Sequence, residues 1–371
     1  MKHPFFPLLF IISSCMAFAC KTAAPAARNK ADLAVIAYYS GGSVQLPQYK
    51  WEQLTEVIFS FCHLRGNRLA VDNADDSLAI QSLVDLKKKH PHLKVLLSLG
   101  GWGGCKTCSP VFSTPAGRAE FAASVLELSE AFGTDGIDLD WEYPGIEGYP
   151  GHEFKPEDRQ NFTLLVKELR RVLGKKREIS FAAGASADYF EHSVEWAEVM
   201  PLVDRVNLMT YDFISGYSTV TGHHTQLLST AEQESSVDYS VRYLKNLGVP
   251  PAKIVIGAAF YARTWEQVEN VNHGLYQPGK FKSFISYSKF PQTISPDQGF
   301  ELFRDPASQA PYAYSARRKE FATFDDATSV TMKTQFARAK GLGGIMFWEL
   351  VCDLPENGLL QVIHDAKTSG K

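Results

Sequence analysis

The sequence predicts an α/β protein built as a (β/α)8 barrel, with a small α+β subdomain inserted between its seventh and eighth strands. Short β-branched runs alternate with helical patterns along most of the 371 residues, which argues for parallel strands joined by helices. That length suits one large barrel or two ordinary domains, and no repeat or appended module divides the chain. No G-x-G-x-x-G or P-loop follows any of the runs, so a doubly wound open sheet lacks the signature it would need.

The strands are read in order at Ala34–Tyr39, Val57–Cys62, Lys94–Leu99, Gly136–Glu142, Ile179–Gly184, Arg205–Thr210, Ile254–Ala259 and Gly343–Trp348. Helical periodicity lies between most of them, at Ala116–Ala131, Pro156–Leu173, Glu234–Leu247 and Val330–Lys340. The rhythm breaks from Thr264 to Asp325, a stretch rich in Phe, Tyr, Pro and Ser. It has little helical period and is too long for an ordinary connection. Read as an insertion at 264–325, it leaves the barrel as residues 32–263 and 326–371.

Residues 1–19 read as a signal segment. Lys2 and His3 precede the apolar run Phe5–Ile12, and Ala17-Phe18-Ala19 has the small-x-small form of a cleavage site. Residues 20–31 follow as a polar tether rich in Ala and Pro. Cys20, directly after that site, is similar to the acceptor of a bacterial lipobox, from which Ala17 and Phe18 depart. Export is therefore expected, either as a lipoprotein held through Cys20 in the periplasm or outer membrane, or as a secreted protein. No apolar run beyond residue 20 is long enough to span a membrane.

The net charge is −3, and removing Lys2 with the signal segment leaves 37 basic against 41 acidic residues, or −4. No basic field argues for nucleic acid. Aromatic residues make up 12% of the chain, which fits sugar faces stacking on rings and fits a large core equally well. Four cysteines lie in the body of the chain: Cys62, Cys105, Cys108 and Cys352. Cys105 and Cys108 have redox-motif spacing but sit in a Gly-rich loop, so in an exported protein a structural disulfide is expected there, with the pairing left open. A zinc site would need Cys62 and Cys352 as well, and nothing in their settings supports it.

The chemistry concentrates in residues 135–142, Asp-Gly-Ile-Asp-Leu-Asp-Trp-Glu. Asp138, Asp140 and Glu142 are spaced i, i+2, i+4, so on a strand all three share one face while Ile137, Leu139 and Trp141 share the other. A solvated edge strand explains one Asp-x-Asp but not three carboxyls in register with large apolar residues at every alternate position. A divalent-metal site is the other rival, and no His, Asn or further acidic cluster nearby completes a cage. Crowded carboxyls on an apolar strand favour protonation, which suits proton transfer. Asp135 has the wrong parity and belongs to the turn before the strand.

In a β/α barrel the reactive residues gather at the C-terminal ends of the strands. The third strand ends in Ser98-Leu99-Gly100-Gly101-Trp102, the fourth in the carboxyl row followed by Tyr143, and the sixth in Met209-Thr210-Tyr211-Asp212. The seventh runs into Tyr261-Ala262-Arg263 and the eighth ends in Trp348 and Glu349. Together they outline a cleft with carboxyls at its floor and rings along its walls.

At these residues the chain resembles the family 18 glycoside hydrolases, the chitinase-type enzymes, over about residues 33–365. Asp135–Glu142 fits that family's D-x-x-D-x-D-x-E strand, and Ser98–Gly101 fits its S-x-G-G motif. Met209–Asp212 and Trp348 fit the strand-six and strand-eight motifs, and the insertion is similar to the α+β subdomain of the chitinase branch.

The resemblance implies a chitinase acting on β-1,4-linked N-acetylglucosamine polymers or oligomers, with no cofactor, no metal and a monomeric state. It implies substrate-assisted, retaining hydrolysis through an oxazolinium ion. Glu142 is the general acid and then the base. Asp140 holds the acetamido N–H, Asp138 shares a proton with Asp140, and Tyr211 bonds the acetamido oxygen. Trp348 lies under the reacting sugar, with Trp102 and Tyr143 at neighbouring positions. Asp212, Tyr261 and Arg263 bond hydroxyls or the acetamido region, Gly101 and Met209 belong to the binding motifs, and Tyr38 and Phe61 form the pocket floor. Two rivals remain: an endo-β-N-acetylglucosaminidase acting on N-glycans, and a lectin that binds chitin without cleaving it. Family lectins lose the acid, which this chain keeps at Glu142.

Overall fold

Within the computed structural model, the described residues are 33–369 together with Met1; the expected signal segment, tether and Cys20 lie outside the body so described. Eight parallel strands close into a barrel in the order β1 (Ala34–Tyr39), β2 (Glu56–Arg65), β4 (Lys94–Gly100), β5 (Gly136–Asp140), β6 (Glu178–Gly184), β7 (Arg205–Met209), β8 (Ile254–Ala259) and β14 (Gly344–Trp348). The ring shuts because β1 pairs with both β2 and β14. A short antiparallel strand, β3 (Arg68–Ala70), folds back on the extended end of β2.

Alternation along each strand sorts the side chains into two layers. From β1, Ile36 and Tyr38 join Ile58, Leu96, Val255 and Met346 inside the barrel. Val35, Ala37 and Tyr39 face outward into the layer beneath the helices. On β5 the outward residues are Ile137 and Leu139, and Trp141 continues their row, wedged between Phe112 and Phe162 at ring distances of 5.4 and 6.4 Å. The inward positions of the same strand are Asp138 and Asp140. β5 can lie this close to its neighbour because residue 136 is glycine: a Cβ there would stand 2.0 Å from the Glu178 carbonyl oxygen.

The helix that covers β5 spans Pro115–Phe132. Thr114 caps it by accepting from Gly117 N at 3.0 Å, proline occupies its first turn, and Gly133 at φ 80° ends it in the left-handed region. The following helix, Asp158–Leu173, buries Phe162, Leu165, Val166 and Leu169 on one face.

Between β8 and β14 the chain builds a second, five-stranded antiparallel sheet in the order β10 (Lys280–Ser286), β9 (Tyr261–Glu266), β13 (Glu320–Thr323), β12 (Pro311–Ser315) and β11 (Glu301–Arg304). β9 straddles the boundary expected at Thr264. After the last barrel rung, Phe260 N to Trp348 O at 2.8 Å, Tyr261 already pairs with Ser286 of β10. The excursion starts and ends on one side chain. Asp325, 1% exposed, accepts from Ala259 N at 3.0 Å, from Lys333 Nζ at 2.6 Å and from Ser329 Oγ at 2.6 Å.

β5 ends two residues before the expected Glu142. The Gly101 N–H takes the Asp140 carbonyl at 2.9 Å as the last rung, and Trp141 and Glu142 continue beyond the ladder.

Candidate active site

Asp138 is fully buried on the barrel axis and is surrounded by donors from four other strands. Its Oδ2 accepts from Tyr38 of β1 and Ser98 of β4, both at 3.0 Å. Its Oδ1 accepts from Ser180 of β6 at 2.6 Å and Asn207 of β7 at 3.1 Å. Burial pushes its pKa up, and the hydroxyl donors and the Arg205 charge work against that rise. Arg205 itself is held by Glu178 at 2.8 Å and by Glu56.

Asp140, two residues on, has the opposite surroundings. No donor among the described residues reaches its buried Oδ1. Burial, then the charges of Glu142 and Asp138, raise its pKa well above the ordinary carboxylate range. Burial likewise lifts Glu142 to about 7, with the Tyr143 hydroxyl opposing and the Asp212 charge adding to the rise.

Asp212 is built to stay anionic. Its backbone is in the left-handed region at φ 59°, and its carboxylate takes a two-pronged grip from Arg263, Nε to Oδ1 and Nη2 to Oδ2, each at 2.5 Å. The Tyr261 hydroxyl adds a bond at 2.7 Å, and His224, fully buried, stands 3.5 Å behind it. These donors outweigh burial and hold the carboxyl far below its usual range.

A cleft of about 670 Å³ opens above these groups. Of the residues expected at the site, Phe61, Trp102, Asp140, Glu142, Tyr143, Met209, Tyr211, Asp212, Tyr261, Arg263 and Trp348 line it. Asp138 and Tyr38 lie beneath the floor, joined by their hydrogen bond. Gly101 acts through a neighbour: at φ 79° it lets the Phe61 ring pass where a Cβ would stand 2.3 Å from it. Phe61 then stacks on Trp348 with centroids 5.6 Å apart and planes at 16°. Among the described residues the Tyr211 hydroxyl has one hydrogen-bond partner, the Met346 sulfur at 3.8 Å, a weak acceptor that a stronger one in the cleft can replace. Asp135 lies outside the site, accepting from Lys87 Nζ at 2.7 Å and from Val95 N at 2.8 Å. Cys105 and Cys108 are bonded to each other in the loop after Gly101, and Cys62 and Cys352 are free and buried.

Several lining residues were not singled out in the sequence. Ser215, Gly216 and Tyr217 come from the loop after β7, and Phe281 and Phe284 from β10 of the inserted sheet. Asn207 and Ser180, which complete the cage of Asp138, are neutral strand residues that carry no signal of chemistry.

A β/α barrel whose C-terminal mouth holds a ring-walled cleft over buried carboxyls is the architecture of a glycoside hydrolase. Residues 34–353 match the profile of the glycosyl hydrolases family 18, and the chain belongs to that family. It is 36% identical over 332 residues to Chitinase A1 of Niallia circulans, a match covering 82% of this chain and 47% of that protein, so the chain spans about half its length. It is 30% identical over 355 residues to Probable chitinase 2 of Drosophila melanogaster, covering 87% and 72% of the two chains. The solved structure of a family 18 N-acetylglucosaminidase from Paenibacillus barengoltzii superposes with a TM-score of 0.82 at 35% identity, covering 90% of this chain and 99% of that one.

Proposed function

We propose that the chain is a chitinase that hydrolyses β-1,4-linked N-acetylglucosamine polymers or oligomers, with the substrate's own acetamido group as nucleophile. The state of the three carboxyl groups lining the cleft carries this reading. Asp212 is locked by Arg263 and Tyr261. Asp140 and Glu142 both have raised pKa values, which suits proton donation and makes each a poor nucleophile. A retaining reaction at such a site needs its nucleophile from elsewhere, and the 2-acetamido oxygen of the sugar supplies one.

In this scheme the reacting sugar lies on Trp348. Glu142 gives its proton to the glycosidic oxygen as the acetamido oxygen closes on C1, breaking the C1–O bond and forming an oxazolinium ion. The donor cage keeps Asp138 as the anion of its pair, so the shared proton resides on Asp140. Asp140 accepts the acetamido N–H through its carbonyl oxygen, the Asp138 carboxylate beneath it and the newly formed Glu142 carboxylate steady the positive charge, and Tyr211 donates to the acetamido oxygen. Glu142, now a carboxylate, takes a proton from water as it adds to C1, restoring the acetamido group with the starting configuration.

The test is incubation of the purified chain with chitin oligosaccharides and with a high-mannose glycoprotein. Cleavage of the oligosaccharides with retained anomers is expected, and Glu142→Gln should lower the rate about 10²–10⁴-fold. Glycan release alone would support the N-glycan reading, and binding without turnover would support the lectin. A thiazoline analogue of the oxazolinium should inhibit strongly; weak inhibition would count against substrate assistance.

A second reading, release of single N-acetylglucosamine units, is favoured by the likeness to the Paenibacillus N-acetylglucosaminidase, which extends over nearly all of both chains. Product length separates the two: monosaccharide as the first product supports it. Export, with lipid attachment through Cys20, rests on residues 1–20 alone and is tested by palmitate labelling of the wild type against Cys20→Ala.

A further inference from the structure

The end of the barrel opposite the cleft carries the wrong sign of charge for this chain. The connections that feed the strands at their N-terminal ends, residues 87–93, 133–135, 174–177, 200–204, 247–253 and 340–343, hold eight Lys or Arg against two Asp. With His neutral, that is +6 on one face of a chain whose total is −3. Hydrogen bonds join these segments into one surface. Lys87 Nζ reaches Asp135 at 2.7 Å and Gly133 O at 3.4 Å, and Arg177 Nη1 donates to Thr134 O at 2.7 Å. Arg170 donates to Arg177 O at 2.9 Å and to Leu202 O at 2.6 Å. Lys253 Nζ donates to Met200 O and Val203 O at 2.7 Å, and Gly343 N to Pro251 O at 3.2 Å.

Much of this charge is unspent. Lys88, Lys89, Lys175 and Lys176 are exposed. Lys88 pairs with Asp85 at 2.9 Å while 78% of its side chain stays in solvent, a pairing of little strength in water. No Phe, Tyr or Trp lies in these segments, so the stacking platform that single-stranded nucleic acid uses is missing. Lysines spread over separate connections suit a plane of anionic headgroups better than one small anion. The N-terminal segment also joins the body here, since β1 begins at Ala34 and Ala34 N donates to Gly343 O at 3.0 Å. Cys20 lies 13 residues before Leu33, a stretch that spans at most about 45 Å.

We propose that this basic face docks on an anionic phospholipid leaflet and holds the barrel with its cleft turned away from the membrane. The inference takes the export reading of residues 1–20 and adds an electrostatic contact that needs no acyl group at Cys20. Each cation within about 10 Å of the leaflet, the screening distance in ordinary salt, raises binding about five-fold. A single acyl chain attaches reversibly, and a basic patch is the kind of second contact that makes attachment stable.

The test uses the full chain with Cys20→Ala, sedimented with vesicles of phosphatidylcholine alone or mixed with phosphatidylglycerol. Any hold by the apolar run Phe5–Ile12 is common to both vesicles and drops out of the difference. Binding to the mixed vesicles should be the stronger, and the excess should vanish in high salt. Lys88→Gln, Lys89→Gln, Lys175→Gln and Lys176→Gln together should lower the excess about 100-fold or more, with Tm and hydrolysis of a soluble oligosaccharide unchanged. The same charge removed at the cleft end and from the insertion, by Lys106→Gln, Lys155→Gln, Lys280→Gln and Lys289→Gln, should leave the excess nearly intact. Equal binding to both vesicles, a base variant that binds as its parent does, or a control variant that loses as much overturns the inference. Tighter binding to single-stranded DNA than to phosphatidylglycerol overturns it in favour of nucleic acid. Vesicle binding is read without substrate, so this inference and the hydrolase reading fail separately.

Discussion

Asn207 divides one amide nitrogen between two acceptors: its Nδ2 lies 3.1 Å from Asp138 Oδ1 and 3.1 Å from the Tyr38 hydroxyl. The Tyr38 hydroxyl donates to the other oxygen of the same carboxylate at 3.0 Å, so the three side chains close a triangle inside the barrel. Neither donor can shift without disturbing the other. Hydrogen bonds to a charged acceptor contribute about 1.5–3 kcal/mol each.

Asn207→Ala should therefore lower kcat by about 10- to 100-fold, at about 1.4 kcal/mol per factor of ten. KM should change less, because Asn207 lies below the cleft floor. Steady-state kinetics on a chitin oligosaccharide, with near-UV circular dichroism to confirm the fold, provide the check.

The pH profile should follow Glu142. Its carboxyl is lifted to about 7, first by burial and in smaller part by the Asp212 charge, and the acid step needs the proton in place. Turnover should fall as pH rises through about 7. Asp212→Asn removes one cause of the rise, so its alkaline limb should move to lower pH.

The same shift has a consequence for stability. A carboxyl whose pKa is higher in the folded state favours folding most below its unfolded value, and that contribution is lost as pH rises through the folded value. For Glu142 the window runs from the ordinary 4.5 to about 7. Glu142→Gln should flatten the decline in denaturant midpoint across that window while lowering activity about 10²–10⁴-fold.

Gly101→Ala should both destabilise the chain and weaken substrate binding. The new Cβ stands 2.3 Å from the Phe61 ring at a backbone φ of 79°, and strain of this kind costs about 1–3 kcal/mol. Phe61 must then leave its stack on Trp348. A lower Tm, altered tryptophan fluorescence and a raised KM are the expected results.

Lys333→Met should cost about 3–5 kcal/mol, because it strands a buried carboxylate. The pair with Asp325 is 2.6 Å long and fully buried. Urea unfolding measures the loss, and adding Asp325→Asn to the same chain should recover part of it.

The barrel is legible in the sequence because strand and helix patterns alternate, and β1 and β8 have the bounds that the pattern predicts. The carboxyl row is legible because parity depends only on local spacing. What escapes is whatever depends on closure or on a local irregularity. Ser180 and Asn207 reach Asp138 only once the barrel closes, from 42 and 69 residues away. Plain alternation puts Phe281 and Phe284 on opposite faces of β10. A register shift between Phe281 and Ser283 sets them opposite Trp265 and Arg263, which share one face of β9, and both rings turn to the cleft. Tyr217 escapes because its place is set by the turn between Ser215 and Ser218, which Trp265 Nε1 holds at Ser218 O from 47 residues away, and such a tie leaves no periodic trace.

Asp325 gives the inserted sheet a neck. The last residue of β8 and the first turn of the helix Ala327–Ala339 both bond to its carboxylate, so the barrel is stitched shut before the excursion begins. Whatever loops out from that stitch places little load on the ring below, since doubling a loop's length costs only about 0.6 kcal/mol. The walls above the floor can therefore be lengthened, trimmed or exchanged by grafting at the neck while the acid chemistry beneath keeps its footing.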